Sequence, residues 1–294
     1  MVELLVVMTL LSLIVLALMA VFNSTQQAFR ASVTQTDVLE GSRAAVDLIT
    51  ADLRGLTPSD GSFTNINNNV IGCAVNFFVT NNDTSFFQTY SPLAQSLPGS
   101  SLLRTNLLQW FFVLGRENTK WTGAGYVVDS GSASPLYPLY RFYAETNINA
   151  NPVVLFNGFW KTISLAQWTN LSHVMDGVTH LVVHAYDPSG YQLTNTIQFR
   201  GRQPVTGLNI TVTNQNTWFS APQWGEVGMC MFSNAVPAAV ELQLGVLEDR
   251  ALARASSLPF RSPAQLKYLA QPAGAVHLFR QRVTIPNVDP TAYQ

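Results

Sequence analysis

The sequence predicts an α+β protein in which one long N-terminal helix precedes an antiparallel, β-rich body. Three observations carry this expectation. From Leu4 to Phe29 there is no charged residue. A helical spacing of apolar and charged positions then continues to Leu53 and is closed by Gly55 and Pro58. Beyond Pro58 the pattern changes to short alternating, aromatic-rich runs separated by Asn, Gly, Pro and Ser.

The first element is apolar all round. Leu4 to Phe22 (LLVVMTLLSLIVLALMAVF) is interrupted only by Thr9 and Ser12. As a helix it spans about 28 Å at 1.5 Å per residue, close to the roughly 30 Å of a hydrocarbon core. Soluble core helices keep a polar face, so this is read as a membrane span, with Leu4, Leu5, Leu10, Leu13, Leu16 and Phe22 in its apolar body. A cleaved secretory signal would carry a basic flank and a small-residue cleavage site, and a signal anchor would carry Lys or Arg on its cytoplasmic side. Here the charged residue before the span is acidic, Glu3. A carboxylate at the edge of a membrane segment is costly and points to a function.

Met1-Val2-Glu3-Leu4-Leu5-Val6-Val7 resembles the start of a mature type IV pilin or pseudopilin, in which a conserved-pattern glutamate precedes an apolar helix. The resemblance implies that the Glu3 carboxylate neutralises the N-terminal amine of a neighbouring subunit inside an apolar filament core. Pairing offsets part of the cost that each buried charge carries alone. Aligned on Glu3, Met1 stands where the family usually has Leu. The basic leader, the processing glycine and the first two mature residues are then expected upstream of Met1, in frame.

The helix is expected to continue out of the span. Phe29, Val33, Leu39, Val46, Ile49 and Leu53 fall near one stripe, while Glu40/Arg43 and Arg43/Asp47 have the spacing of surface charge pairs. Gly41 is expected as a weak point or bend, at up to about 1 kcal/mol against Ala. Val2 to Arg54 thus forms one helix of about 80 Å. Within it, Glu40, Arg43, Asp52, Leu53 and Arg54 are similar to the E-x-x-R and D-L-R positions of J-type minor pseudopilins and W-type minor pilins.

Strands are expected at Cys73–Thr80, Leu108–Leu114, Tyr126–Asp129, Leu139–Ala144, Val178–Asp187, Tyr191–Phe199, Leu208–Val212 and Ala238–Leu247. Asp187-Pro-Ser-Gly190, between two of these, reads as a hairpin turn. Val178–Asp187 and Pro237–Gly245 resemble the closing strands of J-type pseudopilins. Glu248–Ser257 and Pro263–Ala270 read as short helices, Ala275–Ile285 as helix or strand, and the locally basic C-terminus as a solvated tail. The organisation expected is a transmembrane half-helix over 1–28, its extramembrane half over 29–57, a β-rich pilin-like head over 58–250 and a C-terminal extension over 251–294.

Composition narrows the function. Hydrophobic residues make up 47% and charged residues 11%, with a net charge of −1. No basic field is available to attract a phosphate backbone, so nucleic acid is not an expected partner. Cys73 and Cys230 form either a disulfide or two buried thiols. The sequence holds no Gly-x-Ser-x-Gly elbow, P-loop or His-Glu-x-x-His. Gly123-x-Gly125 is expected as a turn. His180 and His184 share a strand face, yet packing is the better expectation for them than a metal site, and no metal, cofactor or catalytic residue is assigned.

The resemblance therefore implies a non-catalytic subunit at the tip of a type II secretion pseudopilus, anchored in the inner membrane with its head in the periplasm. Its partners would be pseudopilins of the I, K and H types and the inner-membrane assembly platform. A minor pilin of a type IV pilus or DNA-uptake system, and a membrane-tethered periplasmic binding domain, are the alternatives.

Overall fold

The computed structural model describes residues 2–59, 74–81, 92–97, 102–194, 205–206, 210–214, 217–220, 226–271 and 276–293. Helix α1 runs without a break over Val2–Arg54. The helix is unbroken at Gly41, where an added Cβ would meet nothing within 4 Å. With no proline between Val2 and Arg54, nothing removes a backbone donor from the helical ladder. The helix stops where the sequence places a glycine: the Gly55 amide bonds back to the Ala51 and Asp52 carbonyls, and the Leu56 amide to Leu53.

Leu56 and Thr57 then join the sheet. Leu56 bridges Gly115, and the Thr57 amide donates to the Leu114 carbonyl at 2.9 Å. A side chain at Gly115 would meet the Gly55 carbonyl oxygen at 3.1 Å and Thr122 Oγ1 at 2.7 Å, so the close exit of the helix depends on a glycine there.

The strands follow as β1 (Val75–Asn81), β2 (Leu93–Ser96), β3 (Leu103–Asn106), β4 (Gln109–Glu117), β5 (Lys120–Val128) and β6 (Leu139–Asn147). Helix α2 (Val153–Ser164) comes next, then β7 (Ser172–Met175), β8 (Val178–Tyr186), β9 (Val205–Thr206), β10 (Ile210–Asn214), β11 (Thr217–Ser220) and β12 (Met229–Phe232). The chain closes with β13 (Ala239–Leu247), α3 (Asp249–Ser256), α4 (Pro263–Leu269) and β14 (Val276–Thr284). Among the described residues these make a nine-stranded antiparallel sheet ordered β7-β6-β5-β4-β1-β12-β11-β10-β9, a three-stranded sheet β14-β13-β8 and a hairpin β2-β3.

Both larger sheets face α1, which packs on β13 and β14 of the small sheet and on β4 and β7 of the large one. Ile49, Leu53 and Leu56 are fully buried there. Each such side chain contributes about 1.5–3 kcal/mol by leaving water. The opposite face of the large sheet is covered by α2, through Leu155, Phe156, Phe159 and Ile163 at spacings that fit one helical face. Phe156 and Phe159 meet Phe112, Phe142, Phe78 and Trp110 in edge-on and tilted contacts of 5.0–5.9 Å.

Gly123 and Gly125 are not a turn. They sit in mid-β5, where the Phe159 ring occupies the place of a Gly125 side chain and Leu155 and Phe112 lie 3.0 Å from that of Gly123. The C-terminal segment is likewise no solvated tail. Of Ala275–Ile285, open between helix and strand in the sequence, Val276–Thr284 forms β14 and pairs with β13 along its whole length, and Ala275 lies outside the described residues. Beyond it Asn287 donates to the Leu56 carbonyl, and the Tyr293 hydroxyl donates to the carbonyl of Val236. The turn at Asp187–Gly190 forms as expected, with the Gly190 amide on the Asp187 carbonyl and Gly190 at φ +85°. Past it Gln192 bridges Tyr186 and the Leu193 amide donates to the Ala185 carbonyl; residues 195–199 of the expected strand lie outside the described residues.

Candidate functional site

Helix α1 presents two surfaces along its length. Val7–Gln26 has a mean hydropathy of 2.2 and no buried residue, so this one segment is long and apolar enough to cross a membrane. Leu10, Leu13, Leu16 and Phe22 are all exposed along it, and Glu3 is exposed in the first turn. Leu4 and Leu5 lie between them on the same helix. From Val38 onward the helix instead buries a stripe: Val38, Ser42, Ala45, Val46, Ile49 and Leu53. Glu40, Arg43, Asp47 and Arg54 point to solvent, and among the described residues neither Glu40/Arg43 nor Arg43/Asp47 forms an ion pair.

Asp52 is the exception on the charged side of the last turn, because it faces the large sheet. Arg141 of β6 reaches it with two parallel bonds, Nη2 to Oδ1 at 2.8 Å and Nε to Oδ2 at 2.9 Å. The Tyr126 hydroxyl of β5 donates to the same Oδ2. Tyr126 and Arg141 are direct cross-strand partners and therefore share the face that α1 covers. Tyr126 is fully buried and stacks on Phe111, its partner on β4, at 5.1 Å. Burial, together with the adjacent carboxylate, drives the Tyr126 phenol far above its ordinary range. For Arg141, burial acts against the charge, and the bonds to Asp52 more than offset it, so its pKa is raised. Such a carboxylate, held by a bidentate guanidinium and a neutral phenol, fixes geometry. It clamps the end of the helix to the sheet.

A second polar array joins the two sheets. Strand β8 meets the start of β4 through a parallel bridge between Leu181 and Leu108, with the Leu181 amide on the Leu107 carbonyl. Side chains extend that contact. His180 Nδ1 accepts from the Leu107 amide at 3.1 Å, and Gln109 Oε1 accepts from the Val183 amide at 2.7 Å. Gln109 also donates to Asn81, which donates to the Glu226 carbonyl. His184 Nε2 lies 2.9 Å from the Glu226 carboxylate, while its Nδ1 lies 3.7 Å from Glu241. Glu241, buried in mid-β13, takes two bonds from Arg280 of β14 and one from Gln243.

The two histidines respond to this setting in opposite senses. Burial, with the nearby Arg104 charge adding to it, holds His180 down to about 4. Burial works against the cation of His184 too, but the Glu226 and Glu241 carboxylates outweigh it and raise its pKa. For Glu241, burial favours the acid, and Arg280 with Gln243 more than reverses it, so the carboxylate is held below its usual range. Both histidines are thus engaged in the seam. His173 stands apart on β7, paired with Asp176 at 2.6 Å. Among the described residues there is no group of three or more His, Cys, Asp or Glu arranged to hold a metal ion. Cys230 is buried on β12, and Cys73 lies outside the described residues, as does the pairing of the two.

Sequence reasoning singled out Asp52 but neither of its partners. Arg141 and Tyr126 lie 89 and 74 residues away, and no local signal marks them. Glu226 and Glu241 were missed as well, although a Glu in the apolar run of β13 is a signal that could have found the second.

No protein-family model matches the chain, and neither a curated protein nor a solved structure matches it.

Proposed function

We propose that the chain is a minor pseudopilin: a non-catalytic subunit, most like the J type, that works at the tip of a type II secretion pseudopilus. It is anchored in the inner membrane by α1, with its head in the periplasm. The observation that carries this reading is the division of one unbroken helix. Its stretch Val7–Gln26 is apolar and has no buried residue, and its C-terminal end is clamped on antiparallel sheets by Asp52, in the segment whose sequence resembles the J-type pattern. A helix built this way has an apolar surface that needs lipid or other helices, and a head rigidly attached to it. Glu3, at the start of the apolar half, is the group that would neutralise a neighbour's terminal amine. The I-, K- and H-type pseudopilins and the assembly platform are the partners this reading assigns.

The test is pairwise two-hybrid interaction, in the inner membrane, between the chain and the I-, K- and H-type pseudopilins encoded in the same genome. The expected result is interaction with the I and K types that disappears when Leu10, Leu13 and Leu16 are replaced together by Ser. Interaction instead with minor pilins of a type IV pilus would move the chain to that machine. An absence of interaction with either set, in a chain that still fractionates with membranes, would overturn the filament reading.

A further inference from the structure

The end of the small sheet that lies toward the apolar half of α1 is closed by a basic cap. Asn287, just beyond β14, donates to the carbonyl of Leu56, just beyond α1, so strand and helix finish side by side. From there β14 extends back over about 27 Å, at 3.4 Å per residue. The helix covers about the same distance, at 1.5 Å per residue, between Leu56 and the buried Val38. The start of β14 thus lies level with Val38. β13 is antiparallel to β14 and leaves the sheet at that end, where α3 follows it and packs on α1. A side chain at Gly177, just before β8, would meet Leu252 of α3 at 3.2 Å, so α3 also covers the start of β8.

The two short helices of the cap divide their surface cleanly. Ala251, Ala255 and Leu269 are buried in a small core with Leu136, Leu247 and Val276. Arg250 and Arg254, one turn apart on α3, and Lys267 on α4 are all exposed. The Arg254 guanidinium lies over the Tyr268 ring at 5.4 Å and so links the two helices. Among the described residues none of these three cations forms an ion pair. Residues 248–271 hold four Lys and Arg against two acidic residues, Glu248 and Asp249, both at the start of α3, in a chain whose net charge is −1.

The apolar stretch ends at Gln26, about 18 Å short of Val38 along the helix. Lipid headgroups fill roughly 6 Å of that gap. A helix laid across the sheet end is itself about 10 Å thick with its side chains. The outward side chains of the cap therefore come within the roughly 8 Å over which charges act at physiological salt. Arginine and lysine at that height are drawn to a negatively charged bilayer surface.

We propose that this cap is a binding surface for anionic phospholipid, with Arg250, Arg254 and Lys267 set on the headgroups of the leaflet from which α1 emerges. The proposal rests on the reading of Val7–Gln26 as a membrane span. The contact gives the head a second hold on the bilayer, one that weakens with salt while the apolar span does not.

The test uses the full chain in nanodiscs of phosphatidylcholine alone or of an equal mixture with phosphatidylglycerol, read by hydrogen-exchange mass spectrometry. At low salt, exchange over residues 248–271 is expected to be at least about threefold slower in the anionic discs. In 1 M salt, where the screening length falls to about 3 Å, the two discs should give equal exchange. R250Q/R254Q/K267Q should abolish the difference. R250Q/K267Q keeps Arg254 on Tyr268 and should shrink it, which preserves the test if the triple variant loosens the cap. Equal exchange at low salt, in a chain that stays with the discs, overturns this proposal alone and leaves the cap for an acidic protein. Slowing that survives in the triple variant or in 1 M salt also overturns it. A chain that elutes free of the discs would overturn the span itself, and this proposal with it.

Discussion

Asp52 and Arg141 lie 89 residues apart in the chain and meet through two parallel hydrogen bonds, both shorter than 3 Å, at the junction of the long helix with the large sheet. The pair is mostly shielded from water, with side-chain exposures of 14% for Asp52 and 20% for Arg141. Removing one partner leaves the other enclosed without compensation. Asp52→Asn and Arg141→Met are each expected to lower unfolding free energy by about 2–4 kcal/mol. The double variant should lose clearly less than the sum, because the second substitution no longer strands a charge. Urea unfolding of the four proteins in detergent measures this; strict additivity would show that the pair is not coupled.

The histidines of the seam set a pH optimum for stability. His184 has a raised folded-state pKa, so its contribution is complete below its unfolded value of about 6.5 and is lost as pH rises through the folded value. His180 behaves in the opposite sense. Its folded value near 4 lies below the unfolded one, so its cost grows as pH falls from about 6.5 toward 4, to about 3 kcal/mol in all. Glu226 and Glu241 face His184, while Arg104, Glu226 and His184 itself act on His180, so the two shifts share Glu226. Stability from this seam is therefore greatest near pH 6.5. Thermal unfolding against pH should show H184Q flattening the loss on the alkaline side and H180Q flattening the loss on the acid side. A variant that leaves its side of the profile unchanged would remove that histidine from the account.

Gly125→Ala places a methyl group where the Phe159 ring already lies. The expected cost is about 1–3 kcal/mol, through displacement of α2 from the sheet. Phe159→Leu, which vacates that space, should cost on its own but recover part of the loss when combined with Gly125→Ala. Equal losses for G125A in both backgrounds would show that the contact is not the source.

The segment after β14 is expected to be structural. Ile285 and Ala292 are buried, Asn234 donates to Asp289, and Asn287 ties the chain to the helix exit. A chain ending at Ile285 should unfold at lower denaturant and show faster proteolysis between Arg54 and Val75. The single change Tyr293→Phe, which deletes only the hydrogen bond to Val236, should cost about 1 kcal/mol.

The helix was legible from local signals alone: an uncharged apolar run, a continuing stripe and a Gly-Pro stop. Of the stripe, Val46, Ile49 and Leu53 are buried and Leu39 half-buried, whereas Phe29 is exposed. The strands β1, β4, β8 and β13 were found within a few residues because their apolar runs are bounded by turn formers. Helix α2 was not found. Its Val153, Val154, Thr162 and Ile163 favour strands locally, and Gly158 lowers its helical propensity. The spacing of Leu155, Phe156, Phe159 and Ile163 after Pro152 was the signal available. The order of the large sheet could not be read at all. β1 pairs with β12 across a long stretch of intervening chain, and nothing in either strand names its partner. Asp52 was singled out by its motif, but Tyr126 and Arg141 become its partners only through the register of β5 and β6.

The bond from Asn287 to Leu56 closes a loop of 231 residues. At about 5–20 residues per second, the ribosome needs roughly 12–46 s to add that length. Through most of that interval the apolar stretch of α1 has already been made, while the head still lacks β14 and the segment after it that ties the chain to the helix exit. Synthesis thus separates two events in time: the apolar stretch is complete first, and the domain joined to it can complete its fold only afterwards.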